Sequence, residues 1–282
     1  DGTWSSYVYD HESRLVSMSN ASTTMTFAYD YMGRRIRKTV TGVGASDTKF
    51  VWAGWTLVGD MNASDGATPL RGYVWGPDFT DARGLAGGAG ALLAQISASG
   101  IAYAMSDQHG NVAGYLDSSG NLVAAWEYSP FGKIVNSYGN VAGHPIGYSG
   151  KYMDSESGLV YYGMRYYNAK HGRFINRDPI GEQGGNNLYA MTQNKGVSGW
   201  DVLGLSGGDE TVMLAPFRVD ERRDRGLEQM HKYQLEQVGK EIKIVFDVSK
   251  AQNNVFTNTG GGVAGQTGTP PAPNNADKER EK

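Results

Sequence analysis

Two ten-residue segments of this chain align position by position, and that repetition limits what the chain can fold into. Tyr7-Val8-Tyr9-Asp10-His11-Glu12-Ser13-Arg14-Leu15-Val16 matches Phe27-Ala28-Tyr29-Asp30-Tyr31-Met32-Gly33-Arg34-Arg35-Ile36. Both read aromatic-x-Tyr-Asp-x-x-small-Arg-x-aliphatic. Each unit is a strand, a tight turn and a return strand. The Asp carboxylate caps the turn, Gly33 supplies a positive φ, and aromatics two apart share one face of a strand. A second pair, Asp107-Gln108-His109-Gly110-Asn111-Val112 and Asp117-Ser118-Ser119-Gly120-Asn121-Leu122, repeats Asp-x-x-Gly-Asn-aliphatic. Phe50-Val51-Trp52, Tyr73-Val74-Trp75-Gly76 and the stretch Trp126 to Gly132 add aromatic strands, with Met61 to Thr68 as a polar loop. A mainly β fold of many short strands is expected.

Composition agrees. The 282 residues include 40 Gly and 17 Tyr but only 9 Pro. The net charge of -3 gives no general attraction to nucleic acid or to an anionic membrane. The absence of cysteine excludes disulfides and thiolate chemistry. The longest apolar run, Ala89 to Ile96, is short and interrupted, far below the roughly 20 residues of a membrane span. No nucleic-acid partner and no membrane insertion are therefore expected. His11, His109, His144, His171 and His231 show no metal-pair spacing, so no metal and no cofactor is expected. The Asp-x-x-Gly-Asn units lack the alternating acidic ligands and distal Glu of a calcium loop; turn capping fits them better. The glycine-dense stretch Gly84 to Gly90 lacks the third Gly and the Lys-Ser/Thr of phosphate loops and reads as a turn or strand crossing. The chain opens inside a repeat, so further repeats and a targeting segment are expected in a longer polypeptide.

From Tyr148 onward the residues carry a family signature. Gly158-Leu159-Val160-Tyr161-Tyr162-Gly163-Met164-Arg165-Tyr166-Tyr167-Asn168, then Gly172-Arg173-Phe174-Ile175, Asp178-Pro179-Ile180-Gly181 and Asn187-Leu188-Tyr189, resemble the RHS repeat-associated core domain. The early units resemble the YD repeats of the same proteins. The resemblance covers about residues 5 to 205 and is most specific from 147 to 205. It implies a YD-repeat β-sheet shell over 1–146, an RHS core domain with a self-cleavage motif over 147–205, and a variable C-terminal tail over 206–282. It also implies export to the exterior or the cell surface, with the tail as both substrate and cargo. In many members the core domain acts once on its own chain as an aspartic-type peptidase. The cut follows the Leu of a terminal Asp-x-x-Gly-Leu.

The paired motif of that family is Asp-Pro-x-Gly-x, then 18 residues, then Asp-Pro-x-Gly-Leu. Here the elements are Asp178 to Glu182 and Asp201 to Leu205, with 18 residues between them and Val202 where Pro is usual. The resemblance thus implies a catalytic pair, Asp178 and Asp201, and a cut between Leu205 and Ser206. Two close carboxylates share one proton, so one can take a proton from water while the other gives one to the carbonyl oxygen. Arg177 is given a supporting role by the same match. Neighbours in a strand point to opposite faces, so Arg177 need not touch Asp178. Pairing with Asp201 or polarising the scissile carbonyl are the roles open to it. Tyr161, Tyr162, Tyr166 and Tyr167 read as structural aromatics. The alternative is a structural or adhesive surface protein that never cuts itself.

Beyond Leu205 the texture changes. Residues 220–239 are charge-rich, with Leu227, Met230, Leu235 and Val238 on one helical stripe. Ile242, Ile244, Phe246 and Val248 alternate as one strand, and from Asn253 the chain is polar and low in complexity. Periodicity spans only residues 206–250, too little for an unaided domain. The tail expressed alone in bacteria is expected to be non-toxic and to melt without cooperativity. Toxicity, or a protease-resistant core, would contradict this.

Overall fold

The computed structural model describes residues 4–65, 68–77, 90–192 and 201–205. The glycine-dense stretch up to Ala89, the tail with its expected helix and strand, and His231 lie outside the described residues. Twelve strands follow the chain as one antiparallel meander: β1 (Ser6–Tyr9), β2 (Leu15–Ser19), β3 (Thr23–Tyr29), β4 (Arg35–Gly42), β5 (Ser46–Ala53), β6 (Thr56–Asn62), β7 (Thr68–Trp75), β8 (Leu92–Ser97), β9 (Gly100–Ser106), β10 (Val112–Leu116), β11 (Leu122–Tyr128) and β12 (Ile134–Gly139). A second, four-stranded meander holds β13 (Tyr152–Asp154), β14 (Leu159–Tyr161), β15 (Tyr166–Asn168) and β16 (Arg173–Phe174). The mainly β expectation holds. The expected loop 61–68 is trimmed, because β6 and β7 run into both of its ends.

The repeated units form the turns they specify. Asp10 Oδ1 accepts the backbone N–H groups of Glu12 and Arg14, each at 2.9 Å, and its Oδ2 accepts Arg14 Nε at 2.7 Å. Asp30 does the same with Met32, Arg34 and Arg34 Nε. Asp107 and Asp117 repeat the pattern, with the Asn111 and Asn121 amides replacing the guanidinium. One carboxylate thus satisfies two backbone donors and one side chain. The third turn residue is left-handed, with φ 61° at Ser13 and 81° at Gly33. A register shift follows at Tyr9, Tyr29, Leu116 and Tyr128, a bulge that increases local twist.

Twist lets the large sheet curl around the small one. Twelve strands laid flat would span roughly 50 Å at about 4.8 Å each. Yet Tyr9 of β1 donates its hydroxyl to Ile175 O at 3.3 Å, and Tyr167 of β15 donates to Phe131 O, in the β11–β12 turn, at 2.8 Å. Both ends of the long sheet therefore meet the four-stranded plug. The contacts fall on one rim. Ser13 O accepts from Asn176 Nδ2, a Cβ on Gly33 would lie 3.6 Å from Met164 Sδ, and Asn111 Oδ1 accepts from Ser149 N at 2.8 Å. All of these turns join an odd strand to the next even one.

The core lies between the two sheets. Phe50, Leu57, Tyr73, Tyr115 and Trp126 pack on Ile146 and Tyr152, while Leu15, Met25, Phe27 and Val40 pack on Leu159, Tyr161 and Tyr166. Inside this apolar space sits a charge. Arg35, on the inward face of β4, is fully buried and pairs with the fully buried Asp154 of β13 at 2.6 Å. Lys38 joins the same carboxylate at 3.0 Å and Glu156 at 2.8 Å. The rings of Phe27, Phe50, Tyr152, Tyr161 and Tyr166 surround the guanidinium at 4.4 to 5.7 Å.

Burial alone would push the Asp154 carboxyl up, but Arg35 and Lys38 outweigh it and hold it below the ordinary range. A lowered carboxyl contributes stability above its unfolded value, about 3.9, and loses it as pH falls through the lower folded value. Acid unfolding is therefore expected below about pH 4. Asp154→Asn strands a buried guanidinium and is expected to cost about 3–5 kcal/mol near neutrality, with a flatter acid limb. Denaturant titrations across pH check this; an unchanged acid limb would count against it.

Candidate active site

The segment Asp201 to Leu205 lies on the plug as a clamped turn. Asp201 is buried, and its Oδ1 accepts the N–H groups of Gly204 at 2.7 Å and Leu205 at 3.0 Å, closing a turn on itself. Gly204 has φ 76°, and a Cβ there would stand 3.2 Å from Tyr162 Cβ and 3.3 Å from Arg165 Cβ. The motif's glycine is thus fixed by both backbone and space. Three successive carbonyls are then held from the plug side. Val202 O accepts Lys151 Nζ at 2.7 Å, Leu203 O accepts Met164 N at 2.9 Å, and Gly204 O accepts Arg165 Nε. Val202, where proline is usual, is buried and keeps this arrangement without the ring.

Asp178 reaches the same place from the other element. Its N–H donates to Leu188 O at 2.9 Å, and its Oδ1 accepts Ile180 N at 3.0 Å. A 3-10 turn, Gly181–Gly184, then folds the chain back, with φ 61° at Gly181. A Cβ on Gly184 would lie 2.6 Å from Asp178 Oδ2 and 3.2 Å from Leu205 O. The carboxylate and the carbonyl that precedes Ser206 therefore flank one small volume, kept free by the absence of a side chain at Gly184.

Arg165 joins the two aspartates. Its Nη2 is 2.9 Å from Asp178 Oδ2 and 3.6 Å from Asp201 Oδ2, and its Nη1 donates to Leu188 O at 3.0 Å. The buried guanidinium lies 3.7 Å from the Phe174 ring centroid. Burial dominates the electrostatics on both sides of the pair. It pushes the Asp178 carboxyl up despite Arg165 and the Ile180 N–H, and it pushes Arg165 down despite the two carboxylates.

The structure brings Asp178, Asp201 and Leu205 together, but with a different arginine from the one the sequence suggests. Arg177 is exposed, whereas its neighbour Asp178 is buried. The place between the aspartates belongs to Arg165, delivered by the β14–β15 hairpin. A single arginine inside the aromatic run Tyr161-Tyr162-Gly163-Met164-Arg165-Tyr166-Tyr167 was the available signal: a charge amid buried rings needs a carboxylate partner. The four tyrosines are core, each with its hydroxyl or ring packed. Ser206 lies outside the described residues.

Known proteins resemble this chain in sequence and fold. The Teneurin YD-shell family profile matches residues 85–195. Double-stranded DNA deaminase toxin A of Burkholderia cenocepacia is 32% identical over 237 residues, 76% of this chain and 16% of that protein. Toxin subunit YenC1 of Yersinia entomophaga is 37% identical over 97 residues, 33% of this chain and 10% of that subunit. The chain thus spans a small part of these relatives' lengths. The solved TcdB2-TccC3-Cdc42 complex shares the fold with TM-score 0.56 at 24% identity, over 72% of this chain and 10% of that one. The sequential meander, the Asp-capped turns and these matches together make the chain a member of the RHS/YD-repeat shell family.

Proposed function

We propose that residues 1–146 form a shell, that the core domain 147–205 cuts its own backbone between Leu205 and Ser206, and that 206–282 is the released cargo of an exported toxin-type protein. The observation that carries this reading is the shared space of Asp178 Oδ2 and Leu205 O beside Gly184, with Arg165 bridging to Asp201. In this scheme water adds to the Leu205 carbonyl carbon. Asp201, through Oδ2, takes the water proton, and Asp178 gives its own to the carbonyl oxygen. The carbon–nitrogen bond then breaks, and Asp201 passes its proton to the Ser206 nitrogen while Asp178 regains one from the tetrahedral adduct. The products are a carboxyl group on Leu205 and an amine on Ser206. The raised carboxyl of Asp178 suits the donor role, since it keeps its proton to higher pH than an exposed Asp. Tethering makes the step intramolecular and lowers the catalytic demand.

Intact mass of the full-length protein is expected to show a cut after Leu205. Asp178→Asn and Asp201→Asn should each leave the chain whole and folded. A cut that persists in both refutes the pair, and a wild-type chain that stays whole returns the protein to a non-cleaving structural shell. The rate should fall as pH rises through the raised Asp178 value, because the donor form is then lost.

Gly184→Ala should slow the cut by about a hundredfold, because its Cβ displaces the Asp178 carboxylate. A melting temperature close to wild type would separate this effect from unfolding. An unchanged cleavage rate would remove Gly184 from the site.

A further inference from the structure

A cavity between shell and plug opens beside the clamped segment, lined by Trp52, Trp55, Trp75, Tyr161, Tyr162 and Leu203, among others. Two of its indoles are held in place by the shell. Trp52 Nε1 donates to Arg35 O at 2.8 Å and Trp75 Nε1 to Leu57 O at 2.7 Å. Trp55 stands in the β5–β6 turn, where Gly54 O accepts Arg34 Nη1 at 2.5 Å from the neighbouring Asp-capped turn. A Cβ on Gly163 would lie 3.5 Å from Leu203 Cδ2 and 3.6 Å from Trp55 Cζ3. Leu203 and Trp55 therefore face the same spot, one from the clamped turn and one from the shell wall. Lys151, which holds Val202 O, lines the same cavity.

We infer that this aromatic pocket is the specificity site of the cut, reading Leu203, the third residue before the scissile bond, and that the shell's tryptophans make closure of shell on plug a condition for cleavage. The inference rests on the self-cleavage reading above. Hydrogen bonds to three successive carbonyls hold the backbone of this turn but are blind to its sequence. Placing the right carbonyl beside the aspartates therefore needs a side chain that is recognised. Leu203 is the side chain with a pocket. The pocket's far wall is Trp55, a residue of the β5–β6 turn far upstream of the plug, so a plug folded alone lacks it. Cleavage is thereby postponed until the wall is in place.

The test follows the appearance of cut product by intact mass during cell-free synthesis of the full chain. Leu203→Ala and Trp55→Ala should each slow the cut by about tenfold or more, the scale at which an apolar pocket discriminates. Leu203→Met, which keeps volume, should remain close to wild type. Melting temperatures measured on the same variants in an uncut Asp178→Asn background should move little. Wild-type rate in Leu203→Ala, cutting at the same bond, overturns the pocket and leaves the aspartate pair standing. Slowing in Leu203→Ala that matches its loss of melting temperature, with no rescue by Met, also overturns it. No cut in the wild type removes the self-cleavage reading and this inference together.

Discussion

The pair between Arg35 and Asp154 is the contact on which the arrangement of shell and plug depends. Taking both charges out of water costs several kcal/mol per ion, and a well-packed apolar substitute often matches such a pair in stability. What an apolar contact lacks is direction. The strands of the shell resemble one another, and an oily interface tolerates sliding. Arg35 has a carboxylate at 2.6 Å and five aromatic faces around it, an arrangement available at one register of β4 against β13. Its Nε and Nη2 have no hydrogen-bond acceptor, so the ring faces take up that part of the charge. We attribute to this pair the choice of register, with the surrounding aromatics supplying the bulk of the burial energy.

From that anchor the remaining contacts follow a geometric rule. In a sequential meander, turns alternate between two rims of the sheet. Plug contacts come from the turns after β1, β3, β9 and β11, and Trp55 adds the turn after β5. The Asp117 turn, with the same chemistry as Asp107, joins β10 to β11 on the opposite rim and stays exposed. Identical turn motifs thus serve different ends by position alone. One caps a hairpin in solvent; the other presents Asn111 Oδ1 to the plug.

Much of this was legible in the sequence because its signals are local. Asp-x-x-small-Arg and Asp-x-x-Gly-Asn specify turns through contacts within five residues, and the structure repeats them with little variation. Asp178, Asp201 and Leu205 were implied by the family resemblance, and the structure places them close together. Arg165, Lys38 and Arg35 were not, since their partners lie 13 to more than 100 positions away, and only Arg165, a lone charge in an aromatic run, left a local signal. Arg177 was given its supporting role by the family match, and its side chain is exposed while that of Asp178 is buried. The glycines tell the same story: Gly33 announces a turn, while Gly184 matters for the space above it, a property of the folded chain alone.

The three clamped carbonyls carry one more consequence. Lys151, Met164 and Arg165 hold residues 202 to 204 by groups that lie entirely on the amino side of Ser206. Hydrolysis at Ser206 touches none of them. The new carboxyl end would stay seated between the aspartates while the amine end departs. In the proposed reaction the site would be filled from birth, first by its substrate and afterwards by its product. A foreign peptide would then meet no vacancy, so the proposed pair would act on no chain but its own.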